Sequence, residues 1–159
     1  IYNGEYVGDI YVKNVKKLKS VNCSSNNNSR MIDEFLIIFL ICAKAKGVSY
    51  FKNLEELKNK ESNRLKIAIN FLKIIGIKVE SDSNNLKIYG NPNLELKKNY
   101  EIKNFKKDHR VFMMTCIAAL TLGGKWKIHD KDSINSSFPN FLTIVKSLGA
   151  KIKWYLIKN

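Results

Sequence analysis

Cysteine is scarce in this chain, and the three present, Cys23, Cys42 and Cys116, are odd in number and far apart. That suggests neither a disulfide framework nor a zinc site, and it fits a reducing cytoplasm. Long apolar runs are missing too. The longest, FLIIFLICA at 35–43, falls far short of the roughly 20 residues a spanning helix needs, so it reads as a core helix and no membrane segment is expected. Proline occurs twice and glycine eight times, and no low-complexity domain or interdomain linker breaks the chain. CxxC, HExxH, an EF-hand loop, a GxSxG elbow and a P-loop are all absent, so neither a metal site nor an activated nucleophile is indicated. The aromatic residues sit mostly at apolar-periodic positions instead of alternating with basic ones, so a base-stacking surface is not indicated.

Acidic residues are also few: 14 Asp+Glu stand against 28 Lys+Arg, for a formal net charge of +14 and a pI near 9.7. Such a surface suits an anionic partner, and a basic nucleic-acid-binding module is one reading of it. Lysine spread evenly among abundant Asn and Ile is instead the mark of biased composition, and it mostly makes solvated faces. At 159 residues the chain is long enough for one domain with a real core. It opens IYNGEYVGDI, without an initiator Met or a signal-peptide pattern, and is expected to be a fragment.

Two stretches read as copies of one unit, each running helix, Gly, strand, helix, Gly, strand. The first passes through 32–47, VSYFKN, 60–76, IKVE and LKIYG; the second through 107–124, KWKIHD, 136–149 and AKIKWYLIK. Leu65, Ile67, Ala68, Phe71, Leu72 and Ile75 recur at helical spacing, and Gly76 and Gly149 follow the last periodic residue, where a left-handed cap is wanted. IKVE and LKIYG, joined by SDSNN, predict a hairpin. The matched glycine spacing supports duplication, and the fold class is α/β (α+β). SSNNNS at 24–29 and the segment 91–107 are expected to be surface connections.

Arginine is the informative scarcity. Only Arg30, Arg64 and Arg110 occur in a chain that otherwise uses Lys, and only guanidinium offers a planar fork for a carboxylate or phosphate. Arg64 and Arg110 both fall in the first turn of a predicted helix, where free backbone N–H groups and the helix dipole favour an anion. DHR at 108–110 then reads as an anion grip, with Asp108 as N-cap and His109 orienting or donating. Arg30 and His129 are expected to be structural. Glu34 reads as a cap or dipole partner. Asp33 and Glu61 gain interest if the fold brings their helix starts to one cleft, since two carboxylates and two arginines there suit acid/base work on an anionic substrate.

GEYVGDI, MIDEF, KESNRL, DHR, SFPNF and KSLGAKI, in that order, resemble the C-terminal portion of the 5-enolpyruvylshikimate-3-phosphate synthase (3-phosphoshikimate 1-carboxyvinyltransferase) family, from about position 4 to 153. The resemblance implies two similar domains, each of three βαβαββ copies. This chain would then hold about two of the three copies of one domain, at about 30–90 and 105–157, with the N-terminal domain absent. It further implies transfer of the enolpyruvyl group of phosphoenolpyruvate to the 5-hydroxyl of shikimate 3-phosphate, with release of phosphate. The implied enzyme is cytoplasmic, needs no cofactor, binds no nucleic acid or membrane, and is a monomer when full length.

Residue by residue, the resemblance makes Asp33 the acid that binds shikimate 3-phosphate and takes the 5-hydroxyl proton, with Lys60 on the same substrate. Glu61 becomes the second acid/base group, at the methylene carbon of phosphoenolpyruvate. Arg64 and Arg110 match the arginines that hold its carboxylate, and His109 is the adjacent DHR histidine. The sequence departs from the family pattern at Leu36, Asn59 and Lys107, and Ser136 stands where some members carry a phosphate-contacting Lys. The 159 residues alone are expected to be inactive. A related enolpyruvyl transferase acting on a UDP-sugar is the nearest alternative.

Overall fold

The computed structural model describes residues 3–4, 6–9 and 11–153. In chain order the elements are β1 (Asn22–Cys23), α1 (Asn28–Met31), α2 (Phe35–Ala43), β2 (Gly47–Phe51), α3 (Arg64–Ile74), β3 (Lys78–Ser81), β4 (Leu86–Gly90), β5 (Leu96–Ile102), α4 (His109–Leu122), β6 (Gly123–Ile128) and α5 (Phe141–Ser147). Short 3-10 turns at Ser25–Asn27, Glu55–Asn59 and Lys131–Ile134 join them. The chain is thus mixed α/β.

One sheet has the order β1-β2-β4-β3, with β1 parallel to β2 and the rest antiparallel; β5 and β6 form a separate parallel pair. The predicted hairpin is β3–β4. Its turn is built by Asp82, whose carboxylate accepts from the backbone N–H groups of Asn84 and Asn85. Gly76 ends α3 at φ +82°, as a left-handed cap requires. In both stretches a parallel strand pair brackets a long helix, β1 and β2 around α2, β5 and β6 around α4.

The segment 91–107 is not the simple surface connection expected. Leu96–Ile102 forms β5, with Leu96 and Ile102 buried, and its strand period is hidden by a register shift between Leu96 and Asn99. In the second stretch, residues 150–153 carry no regular structure, and residues 154–158 of AKIKWYLIK lie outside the described residues.

Helix α2 is apolar on nearly every face, which suits an element covered on several sides. It packs on β4, α3 and α4, and Phe35, Phe39 and Phe51 form an aromatic cluster with centroids 4.9–6.0 Å apart. The end of β4 comes so close that a Cβ on Gly90 would overlap the carbonyl oxygens of Cys42 and Ala45. Helix α3 buries Leu65, Ala68, Phe71 and Leu72, and α4 buries Val111, Phe112, Met114 and Ala118, in one continuous core. Fixing α2 against α3 and α4 is what brings their first residues together. No helix among the described residues is long and apolar enough to cross a membrane.

Cys42 and Cys116 belong to this core, whereas Cys23 is half-buried, and all three are free thiols. Burial pushes the Cys116 thiol up to about 12 and also raises Cys42. Since the thiolate is the reactive form, alkylation of the native protein at pH 8 should mark Cys23 and spare the other two until denaturant is added. Peptide mapping that found Cys116 modified as fast as Cys23 would contradict this packing.

Candidate active site

Three helix starts, at α2, α3 and α4, supply one cluster of charged side chains. Asp33 and Glu34 stand immediately before α2. Glu61 and Ser62 precede Asn63, whose side chain caps α3 by accepting from the Lys66 N–H. Asp108 caps α4 from an extended conformation (φ −67°, ψ 111°), its Oδ1 accepting from the N–H groups of Arg110 and Val111.

Arg64 is the first residue of α3, and its guanidinium lies at the centre. Its Nε donates to Asp108 Oδ2 at 2.9 Å, its Nη1 to Asp33 Oδ1 at 2.9 Å and its Nη2 to Glu61 Oε2 at 2.5 Å. Arg110 closes the other side: its Nη2 lies 3.3 Å from Asp33 Oδ2, and its Nη1 donates to the Asp33 carbonyl at 3.0 Å and to Glu34 Oε1 at 3.3 Å. The Asp33 carboxylate is therefore gripped by both arginines, one on each oxygen. Residues 77 positions apart meet here, from Asp33 to Arg110.

Burial separates the members of the cluster. Arg64 and Asp108 are 1% and 0% exposed, while Asp33, Glu61 and Glu34 are 42%, 51% and 54% exposed at their side chains. Burial alone would push the Asp108 carboxyl up. The Arg64 guanidinium and the Ser62 hydroxyl donate to it and outweigh that, holding it below the usual carboxylate range. Burial would likewise lower Arg64, and the carboxylates of Asp108, Glu61 and Asp33 raise it instead. Asp108 thus contributes stability that is full above its unfolded pKa, about 3.9, and is lost as acid carries the pH down through its lower folded value.

The other candidates lie at the margin or elsewhere. Lys60 is partly buried beside the cluster in sequence, 3.7 Å from Glu56. His109 is half-buried at the first residue of α4. His129 is 2.8 Å from Glu101, which Lys127 also approaches, so it belongs to a surface charge group between β5 and β6. Arg30 is exposed at the end of α1. Glu34 makes no side-chain cap hydrogen bond to α2 and turns to Arg110 instead. Ser62, whose Oγ donates to Asp108 Oδ2 at 2.8 Å, carried no sequence signal beyond its place in KES. Among the described residues no group of three or more His, Cys, Asp or Glu is placed to hold a metal ion.

An α/β fold whose helix starts converge on paired arginines and carboxylates defines a candidate site for acid/base work on an anionic substrate. Residues 5–145 match the family model for EPSP synthase (3-phosphoshikimate 1-carboxyvinyltransferase), and the chain belongs to that family. It is 40% identical over 144 residues to the 3-phosphoshikimate 1-carboxyvinyltransferase of Clostridium tetani, covering 91% of this chain and 32% of the relative. The Bacillus cytotoxicus protein of the same name is 36% identical, with 91% and 33% covered. EPSP synthase from Acinetobacter baumannii superposes with a TM-score of 0.73 at 27% identity, over 82% of this chain and 30% of that one. The enolpyruvyl transferase NikO from Streptomyces tendae shares the fold, with a TM-score of 0.62 at 17% identity, over 87% and 30%. The chain spans about a third of the length of these relatives.

Proposed function

We propose that this chain is the part of an EPSP synthase that binds the phosphoenolpyruvate carboxylate and supplies two acid/base groups. The complete enzyme transfers the enolpyruvyl group of phosphoenolpyruvate to the 5-hydroxyl of shikimate 3-phosphate and releases phosphate. On this reading the chain holds about two of three repeat copies, at about 30–90 and 105–157, of one domain. The enzyme acts as a cytoplasmic monomer, to which three free thiols are suited. The observation that carries the proposal is the single Asp33 carboxylate held between Arg64 and Arg110, with Glu61 on the same Arg64.

The chemistry needs that set. In addition, the 5-hydroxyl oxygen bonds to C2 of phosphoenolpyruvate while its proton leaves to a base and a proton arrives at the methylene carbon. In elimination, the new methyl group loses a proton and the C–O bond to phosphate breaks, its electrons leaving on phosphate. One group at oxygen and another at carbon are required. Asp33 and Glu61 are half-exposed carboxylates a guanidinium apart, so each can face a different atom of the substrates. Arg64 and Arg110, now neutralised by acids of the chain itself, would take the phosphoenolpyruvate carboxylate by exchanging Asp33 and Glu61 for it. Lys60 and His109, next in sequence to Glu61 and Arg110, would contact the substrates in this reading. A basic nucleic-acid module would instead leave its arginines fanned over the surface, whereas Arg64 is enclosed.

Arg110→Lys tests this in the complete enzyme. Lys supplies a point charge without the fork, and losing one charged hydrogen bond, about 1.5–3 kcal/mol, corresponds to roughly a 10- to 150-fold fall in kcat/KM for phosphoenolpyruvate. Near-normal kinetics would remove Arg110 from the site. Phosphate release that depends on a UDP-sugar and not on shikimate 3-phosphate would replace the acceptor.

A further inference from the structure

We infer that Asp108, with Ser62, is a positioning residue that fixes the Arg64 fork and locks the start of α3 to the start of α4. The proposal rests on the enolpyruvyl-transfer reading for the identity of the ligand, and on geometry for everything else. Among the described residues Asp108 is the only wholly buried acid and Arg64 the only wholly buried base. Asp108 accepts from five donors. Ser62 Oγ and Arg64 Nε lie 2.8 and 2.9 Å from Oδ2, while Arg64 Nη2, Arg110 N and Val111 N lie 3.3, 3.0 and 3.4 Å from Oδ1.

Those contacts saturate the lone pairs of a carboxylate, so Asp108 has nothing left with which to bind substrate or take a proton. Its role runs through Arg64. The guanidinium has an inner edge, Nε and one face of Nη2, on a buried and immobile acid, and an outer edge, Nη1 and the rest of Nη2, on Asp33 and Glu61. Those two acids are about half-exposed, and exposed ion pairs are weak, whereas breaking a buried one is costly. An incoming carboxylate therefore competes only for the outer edge, and the fork meets it in one fixed plane. Capping α4 does not explain the choice of residue, because Asn or Ser would cap as well. Only a carboxylate can also accept twice from Arg64.

Asp108→Asn separates the two roles in the complete enzyme, since its amide oxygen still accepts from the α4 N–H groups while the negative charge facing the Arg64 guanidinium is lost. Misplacing a binding group slightly can cost up to about 100-fold, so KM for phosphoenolpyruvate should rise at least about tenfold. KM for shikimate 3-phosphate should stay within about twofold. Added to Arg64→Lys, the change should cost little more, because both act through one group. The Arg64 Nε–H resonance should exchange slowly in the wild type, since it is buried on Asp108, and should be lost in Asp108→Asn. A folded Asp108→Asn enzyme with both KM values unchanged, or raised equally, would overturn the proposal, as would full additivity with Arg64→Lys. If Asp108→Asn does not fold, Ser62→Ala reports the same selective KM shift at smaller size, and its absence decides against us. Should the wild type consume neither substrate, the functional reading fails. The Arg64 Nε–H signal then judges the positioning role alone, and its survival in Asp108→Asn rejects it.

Discussion

Replacing Arg64 with Met should destabilise the protein by about 3–5 kcal/mol and, in the complete enzyme of the proposed reading, abolish enolpyruvyl transfer. The size follows from which partner is stranded. Asp33 and Glu61 are about half-exposed, and pairs of that kind contribute about 0–1 kcal/mol each, so their loss is minor. Asp108 is different: without Arg64 a wholly buried carboxylate keeps only Ser62 and two backbone amides as donors. Removing one member of a buried ion pair exposes the full desolvation cost of the other. Urea unfolding at pH 7 measures it, and a midpoint within error of the wild type would show that the pair is not closed to water. The double change Arg64→Met with Asp108→Asn should recover part of the loss, because no charge is then buried unpaired. Activity should not return with it, since the phosphoenolpyruvate fork is still missing.

Glu61→Gln should do the opposite, lowering kcat by about 100- to 10,000-fold while leaving stability within about 1 kcal/mol. The side chain is half-exposed, and Gln still offers Arg64 Nη2 an amide oxygen to donate to, so the cluster keeps its shape. What disappears is a group able to give and take a proton at the methylene carbon. KM for phosphoenolpyruvate should change much less than kcat, because in the proposed reading the substrate carboxylate displaces Glu61 from Arg64 and Glu61 is not itself the grip. Turnover at the wild-type rate would reject the acid/base role and leave Glu61 as a surface partner of Arg64. The contrast between the two variants, one failing in folding and function and the other in chemistry alone, is set by exposure: 1% for Arg64 against 51% for Glu61.

Much of this was local in origin and therefore legible. The period of α3, the Asp before α4, the glycine that ends α3 and the Asp82 turn each depend on residues within a few positions of one another, and each is where its residue type demands. The scarcity of arginine pointed at Arg64 and Arg110 because guanidinium does what lysine cannot. The motif order carried the family. Strand β5 was missed because a register shift disrupts its alternation, and because its partner β6 lies beyond a whole helix.

Sequence by itself determined the main helices, the β3–β4 hairpin, the Asp108 cap of α4 and the cast of charged residues at the helix starts. Tertiary structure alone decided what those residues do to one another: that Glu34 leaves its helix for Arg110, that Ser62 and Asp108 join, and that Arg64 is buried with one edge on the enclosed Asp108 and the other on the half-exposed Asp33 and Glu61. Caps and periods are written in neighbouring residues, whereas the strength and direction of a charge pair depend on how much water the packing of α2 against α3 and α4 excludes.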